Sequence, residues 1–337
     1  MTRNGALPRA RMSSKDIILQ HIPERIGSLV RTVSLREGVA TIVADAAGLG
    51  RSAASQLQSE LEQAVGAVEG VAEVRVALMA DRPERRIIAI GSGKGGVGKS
   101  TLTANLAVAL ARMGRKVGVV DADVYGPSQV MLLDAARQRP RAEGQTLIPV
   151  ESEFGVRLVS MAQLVEGGKA IAWRGPMVGQ ALAQLMNADW GDTELLLVDL
   201  PPGTGDVQLT MMQKFKPAGA LIVSTPQDLA LIDATRALDF FRQANIPIAG
   251  FVENMAGYQC PHCGEVSDPF GQGGAEAASR ALGVDFLGRV PLAMEIRVAS
   301  DTGQPPAAGD SAQGEAFTAI ARGLAAWLER SATQAAG

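Results

Sequence analysis

The chain has only two cysteines and two histidines among 337 residues. A disulfide scaffold is therefore excluded. Any metal site must be built from few soft ligands. Aromatic residues are also scarce, with eight Phe, three Trp and two Tyr. No apolar run approaches the ~18–20 residues that would span a bilayer. The net charge is −3, so bulk electrostatics offer nothing to nucleic acid. There is no internal repeat and no low-complexity tract. The N-terminal residues include three arginines but lack an apolar h-region, so no secretory signal is expected and the cytoplasm is the expected location.

What is present is a soluble-type composition, 47% hydrophobic and 20% charged, long enough for two domains. Residues 1–14 are expected to be disordered. Residues 15–80 read as a small α-β-β-α-β domain. A weak helix over 17–26 is broken by Pro23. Alternating runs at 29–35 and 39–43 are separated by Arg36-Glu37-Gly38, a hairpin signal. Leu57, Leu61, Ala64, Val65 and Val68 recur at helical spacing, and 71–79 is a further strand. Residues 81–86, charged and containing Pro83, read as a linker.

From residue 87 to 337 strands and helices alternate. Strands are expected at 87–90, 117–120, 156–160, 195–198, 220–224, 248–252 and 286–290. Such alternation implies a mostly parallel sheet with helices on both faces, and ligands beyond the carboxyl ends of the strands. Segments 134–149 and 301–310 read as loops. Phe317, Ile320, Leu324, Trp327 and Leu328 mark one apolar face of a last helix. Its polar side is not rich in Lys or Arg, so it is expected to pack on the sheet rather than lie on a membrane.

After the first of these strands comes Gly91-Ser92-Gly93-Lys94-Gly95-Gly96-Val97-Gly98-Lys99-Ser100-Thr101. It contains G-x4-G-K-[ST], a phosphate-binding loop. Glycines let successive N–H groups point at phosphate oxygens, and the next helix adds its positive end. ATP is thus expected on Gly93, Lys94, Gly95, Gly96, Val97, Gly98, Lys99, Ser100 and Thr101. Lys99 would reach the β- and γ-phosphates and Ser100 would ligate Mg²⁺. The run Leu195 to Val198 ends in Asp199, suited to Mg²⁺ as a Walker B carboxylate. Leu200-Pro201-Pro202-Gly203-Thr204-Gly205-Asp206 follows, with stiff prolines and pliant glycines that suit a γ-phosphate-sensing switch. Asp121 and Asp123 share one side of an extended chain. Asp123 is the candidate for positioning water, while Asp121 is left between that role and a solvated acidic turn.

Cys260-Pro261-His262-Cys263 is the one soft-ligand pair. Tetrahedral sites want four ligands, so two must come from a second copy or from outside. A symmetric dimer would supply four thiolates, enough for a [4Fe–4S] cluster. From spacing alone Zn²⁺ is favoured, with a redox dithiol or a structural turn as further readings.

Lys94, placed between Gly93 and Gly95, resembles the extra lysine of the deviant Walker A motif of the ParA/MinD superfamily. Within it the chain resembles the Mrp/ApbC group of iron–sulfur cluster carrier ATPases. The supporting strings are Asp121-Ala122-Asp123-Val124-Tyr125-Gly126-Pro127-Ser128, Trp173-Arg174-Gly175-Pro176, the 199–206 loop, Thr225-Pro226-Gln227, Val252-Glu253-Asn254-Met255 and the cysteine pair. The resemblance implies an ATPase that acts as a homodimer, Lys94 reaching the partner's ATP. It favours a shared [4Fe–4S] cluster at Cys260 and Cys263 over zinc, handed to apo iron–sulfur proteins with cluster assembly proteins as partners. Lys94, Lys99, Asp123 and Asp199 would be catalytic. Asn254 would contact adenine, Pro291 would line the base pocket within 289–292, and Gln227 and Asp228 would carry nucleotide state towards the cysteines. The superfamily also contains positioning ATPases and the resemblance extends to ATP-driven electron donors. The first would need DNA-binding or membrane-binding basic segments, absent here, and the second places its cysteines singly. The small domain sits where this family often carries one, but lacks the Asp-Pro-Glu-Leu string and the cysteine found there. It therefore reads as a degenerate form that docks partners or supports the dimer.

Overall fold

Glu37 and Gly38 both adopt left-handed backbone, with φ of 49° and 79°, as a two-residue hairpin turn between right-twisted strands requires. They join strand β1 (Val30–Arg36) to β2 (Val39–Asp45). A helix, Arg51–Gly66, then crosses over to β3 (Glu73–Met79), parallel to β2. Alternation puts Ala40, Ile42 and Ala44 on one face of this sheet, buried with Ile18, Leu57, Leu61 and Val65. Pro23 splits the first helical segment into Ser14–His21 and Glu24–Gly27, as its ring demands. In this computed structural model the described residues are 14–46, 49, 51–79, 85–144, 146–164, 175–260 and 262–335. The expected disorder of the first 13 residues and the linker positions 81–84 lie outside them. The chain divides into two compact units at Pro83 and Glu84.

The second unit is built on β4 (Arg86–Gly91), β5 (Val117–Asp121), a hairpin of β6 (Arg141–Glu143) and β7 (Thr146–Ile148), β8 (Val150–Glu151), β9 (Arg157–Ser160) and β10 (Leu195–Asp199). Then come β11 (Gly219–Ser224), β12 (Ile248–Gln259), β13 (Val266–Ser267) and β14 (Phe286–Leu292). The parallel strands lie in the order β14-β12-β11-β4-β10-β5-β9. β8 and β13 add antiparallel edges. All seven parallel strands stand where the apolar runs predict them. β5, β10 and β11 are buried along their whole length, because helices cover both faces. One face is covered by helices Lys99–Arg112 and Ala312–Ala335. The other is covered by Gly175–Met186, Asp206–Thr210 and Asp228–Gln243. The chain leaves β4 towards β5 and leaves β10 towards β11, in opposite directions. The adjacent ends of β4 and β10 therefore form a topological switch point, where ligands bind in such sheets.

Three expectations need correction. Segment 134–149 is not all loop, since β6 and β7 pair within it. Segment 301–310 is anchored: Ala307 is fully buried, its N–H donates to Asn105 Oδ1 at 2.9 Å, and Arg112 donates to its carbonyl at 2.9 Å. The strand expected to stop at 252 runs on to Gln259. It survives positive φ at Met255 and Gly257 by shifting register against β14 between Asn254 and Tyr258. Among the described residues no helix is long and apolar enough to cross a membrane.

Trp190 is fully buried and its Nε1–H donates to the Leu185 carbonyl at 3.3 Å. The ring lies over Gly118, where a Cβ would fall 2.6 Å from it. Trp190→Ala is expected to lower the stability of the second unit by about 3–5 kcal/mol, read as a shifted midpoint in chemical denaturation. A loss below ~1 kcal/mol would show that the site collapses around the cavity.

Candidate nucleotide and metal sites

The loop between β4 and helix Lys99–Arg112 turns on Gly96 and Gly98, with φ of 77° and 81°. Gly98 caps the helix. Two glycines in it are also fixed by packing. A Cβ on Gly93 would lie 2.1 Å from the Asp233 backbone, and one on Gly98 would lie 2.0 Å from Asn254 Nδ2. Asn254 reaches the loop from β12 and donates to the Val97 carbonyl at 2.8 Å. Its neighbour across the ladder is Val290 on β14, the residue before Pro291. Arg289, by contrast, is held elsewhere. Its Nε donates to Glu253 Oε1 at 2.9 Å, and Glu253, fully buried, accepts the Ala275 N–H at 2.8 Å with its other oxygen.

Lys99 is buried, and its Nζ donates to Asp199 Oδ1. Asp123 Oδ2 lies 4.0 Å from the same ammonium. Asp123 Oδ1 accepts the N–H groups of Tyr125 and Gly126 at 3.0 and 3.1 Å, which fixes the carboxylate at the turn. The predicted acids after β5 and β10 therefore converge on the predicted lysine after β4. Lys94, half-buried, does not extend outward; its Nζ donates to Gln227 Oε1 at 3.0 Å. Ser100 stands in the first turn of the helix, partly exposed.

Asp121 is not a solvated turn residue: it is fully buried. Its Oδ2 accepts the Ser160 hydroxyl at 2.8 Å and the Gln129 N–H at 3.0 Å, while Oδ1 has no hydrogen-bond partner. Burial pushes its carboxyl up to about 7, and the Asp199 carboxylate adds to that push; Ser160, Gln129 and Lys99 act against it.

Two glutamines escaped sequence reasoning. Gln129 Nε2 bridges Asp199 Oδ2 at 2.8 Å and the Ser100 carbonyl at 2.9 Å, tying Asp199 to the helix that carries Lys99. Gln208 Nε2 donates to the carbonyls of Pro201 and Gly203, at 2.7 and 3.0 Å, and its Oε1 accepts the Gly205 N–H at 3.0 Å. It braces the 201–205 loop from inside. Gln129 directly follows the 121–128 string and Gln208 stands two residues after the 199–206 loop, and that position was their only signal.

Cys260 and Cys263 lie at the tip of the β12–β13 hairpin. The turn is closed by Cys260 N–H to the Glu265 carbonyl at 2.9 Å and Gly264 N–H to the Cys260 carbonyl at 2.8 Å. Cys263 is exposed and Cys260 half-exposed. Backbone N–H groups of Cys263 and His262 point at the Cys260 sulfur and, with the Cys263 thiol, hold its pKa below the usual thiol range. The same groups favour the thiolate form, the one that binds metal. Among the described residues no group of three or more His, Cys, Asp or Glu gathers to hold a metal. The pair offers two ligands and no more. Pro261, Trp173 and Arg174 lie outside the described residues.

A glycine loop between a parallel strand and a helix, at the switch point of the sheet, with its lysine set among carboxylates from neighbouring strands, defines a P-loop nucleoside triphosphatase. The model of the ParA family described as NUBPL iron-transfer P-loop NTPase matches residues 84–325. The chain belongs to that family. It is 51% identical over 229 residues to a Pseudomonas fragi protein named iron–sulfur cluster carrier protein, covering 67% of this chain and 79% of that one. A Deinococcus radiodurans protein of the same name is 45% identical over 285 residues, 80% of each. Among solved structures, a nucleotide-binding protein of Archaeoglobus fulgidus in complex with ADP matches with a TM-score of 0.58 at 38% identity, over 65% of this chain and 86% of that one.

Asp121 makes stability depend on pH. Its folded-state pKa, about 7, lies above its ordinary value of 3.8. Its contribution is therefore fully present below pH ~4 and is lost as pH rises through ~7. Asp121→Asn is expected to flatten the fall in unfolding free energy between about pH 4 and 7. A variant with the same slope as the parent would mean that another group titrates there.

Proposed function

We propose that the protein is an ATP-hydrolysing carrier that holds a [4Fe–4S] cluster between two subunits and hands it to apo-proteins in the cytoplasm. The observation that carries this reading is the two-cysteine hairpin, with Cys263 exposed and Cys260 half-exposed, on a P-loop NTPase scaffold. Two ligands leave a cluster half-held by one subunit, and a second copy about a two-fold axis supplies the other two. The cluster is cargo, so an exposed, shared site suits its release. A positioning ATPase has no use for such a pair.

The chain's own groups account for the nucleotide chemistry. The Gly93–Thr101 loop wraps the phosphates with backbone N–H groups, and the positive end of helix Lys99–Arg112 favours their charge. On ATP binding Lys99 leaves Asp199 for the β- and γ-phosphates. That departure strands a fully buried carboxylate oxygen, which fits a site that also takes a cation. Ser100 and Asp199 would hold Mg²⁺, which neutralises phosphate charge when bound. Asp123, fixed by two backbone N–H groups, orients the attacking water and accepts its proton. Water oxygen bonds to the γ-phosphorus as the bond to the bridging oxygen breaks, giving ADP and phosphate. Asn254 and Pro291 border the adenine. Lys94 reaches the partner subunit's ATP, so hydrolysis and dimer geometry are one event. The Pro201–Gly205 loop, braced by Gln208, senses whether the γ-phosphate is present.

Anaerobic reconstitution with iron and sulfide is expected to give four of each per dimer, with Cys263→Ala binding none. A wild type that takes up only zinc, or a variant that holds the cluster equally well, sinks the carrier reading. Lys99→Ala is expected to lower ATP turnover by about 10²–10³-fold while leaving the reconstituted cluster in place. Loss of the cluster in that variant would show tighter coupling between the two sites than proposed.

A further inference from the structure

The lysine assigned to the partner's nucleotide is occupied within its own subunit. Lys94 Nζ donates to Gln227 Oε1 at 3.0 Å, and among the described side chains no carboxylate pairs with it. Gln227 is not a loose acceptor. It follows the buried end of β11 and the stiff Thr225-Pro226 step, and it is the N-cap residue of helix Asp228–Gln243. The same helix presses on the loop one residue earlier. Gly93 lies so close to the Asp233 backbone that a Cβ there would be 2.1 Å away. One helix thus grips residues 93 and 94 together, by backbone contact and by a side-chain hydrogen bond. The Ser92 hydroxyl, donating to the Lys94 carbonyl at 3.0 Å, steadies the backbone between them.

We infer that Gln227 is a latch that parks Lys94 in cis and sets the threshold at which two ATP-loaded subunits assemble. This rests on the reading that Lys94 acts in trans. A lysine held by a neutral amide loses one charge-assisted hydrogen bond when it leaves. The partner's triphosphate replaces that bond with a charged acceptor, which is stronger. Water does not. The latch therefore opens to nucleotide in a facing subunit and stays closed in a lone one. A glutamate at this position would turn the latch into an ion pair, and an alanine would remove it. Gln227 is thus a positioning residue acting through Lys94.

Two measurements on the full chain test this. The first is the rate at which Lys94 in nucleotide-free protein is modified by an amine-reactive reagent, followed by mass spectrometry. Gln227→Ala is expected to raise it several-fold and Gln227→Glu to lower it. The second is the concentration at which the protein dimerises with Mg²⁺ and a non-hydrolysable ATP analogue, by sedimentation velocity. The expected threshold is about tenfold lower for Gln227→Ala and about tenfold higher for Gln227→Glu. A merely structural role would move both variants in the same direction. Equal labelling of Lys94 in all three proteins, or same-direction shifts in the threshold, overturns the latch. If labelling changes as expected but no form dimerises with the analogue, the reading of Lys94 in trans falls, and the assembly role of the latch falls with it.

Discussion

A buried ammonium needs a counter-charge, and much of the second unit is arranged to give one to Lys99. The charge cannot be left alone in the interior, because breaking a buried pair costs about 3–5 kcal/mol. Asp199 pairs with it, and Asp123 stands at 4.0 Å. Gln129 closes the other side of Asp199 and returns to the helix that carries Lys99. This places the ends of β4, β5 and β10 in a fixed relation before any nucleotide arrives. It also leaves an electrostatic debt in the molecule. Asp121, fully buried and close to the Asp199 carboxylate, holds its proton up to about pH 7.

The loop glycines show the same economy. Gly96 and Gly98 are needed for their backbone angles, but Gly93 and Gly98 are needed as well because other elements press on them. Helix Asp228–Gln243 lies on Gly93 and holds Lys94 through Gln227; Asn254 lies on Gly98 and holds Val97. The nucleotide loop is thus contacted by the two segments, after β11 and along β12, of which the second continues into the cysteine hairpin. β12 runs from Ile248 to Gln259, so Asn254 lies on the strand that leads directly into Cys260, six positions further on. A shift at the loop has a short physical route to the thiolates.

The seven parallel strands were legible because each is a short apolar run between helical stretches, and β5, β10 and β11 are buried along their whole length. The loop, Asp123, Asp199 and the cysteine pair were legible because their chemistry is carried by residue type and local spacing. Gln129 and Gln208 were not, since a glutamine has no spacing signature and matters only through what it reaches. Asp121 was open between positioning water and a solvated acidic turn, and the second is excluded by burial, a property of the packed sheet. The loops at 134–149 and 301–310 misled because polar, proline-containing segments look unstructured until a buried partner is found. For the second that partner is Asn105, some 200 positions away, which no local pattern shows.

The sequence by itself determined the strand–loop–helix that cradles phosphate, the acids at strand ends and the two-thiolate turn, since each depends on backbone freedom and side-chain chemistry within a few residues. Only the tertiary structure decided which acid Lys99 pairs with, that Asp121 is buried and short of a partner, and that Lys94 rests on Gln227. Those are contacts between strands distant in the chain, and their energies come from desolvation and hydrogen bonding that exist only once the sheet has closed over them.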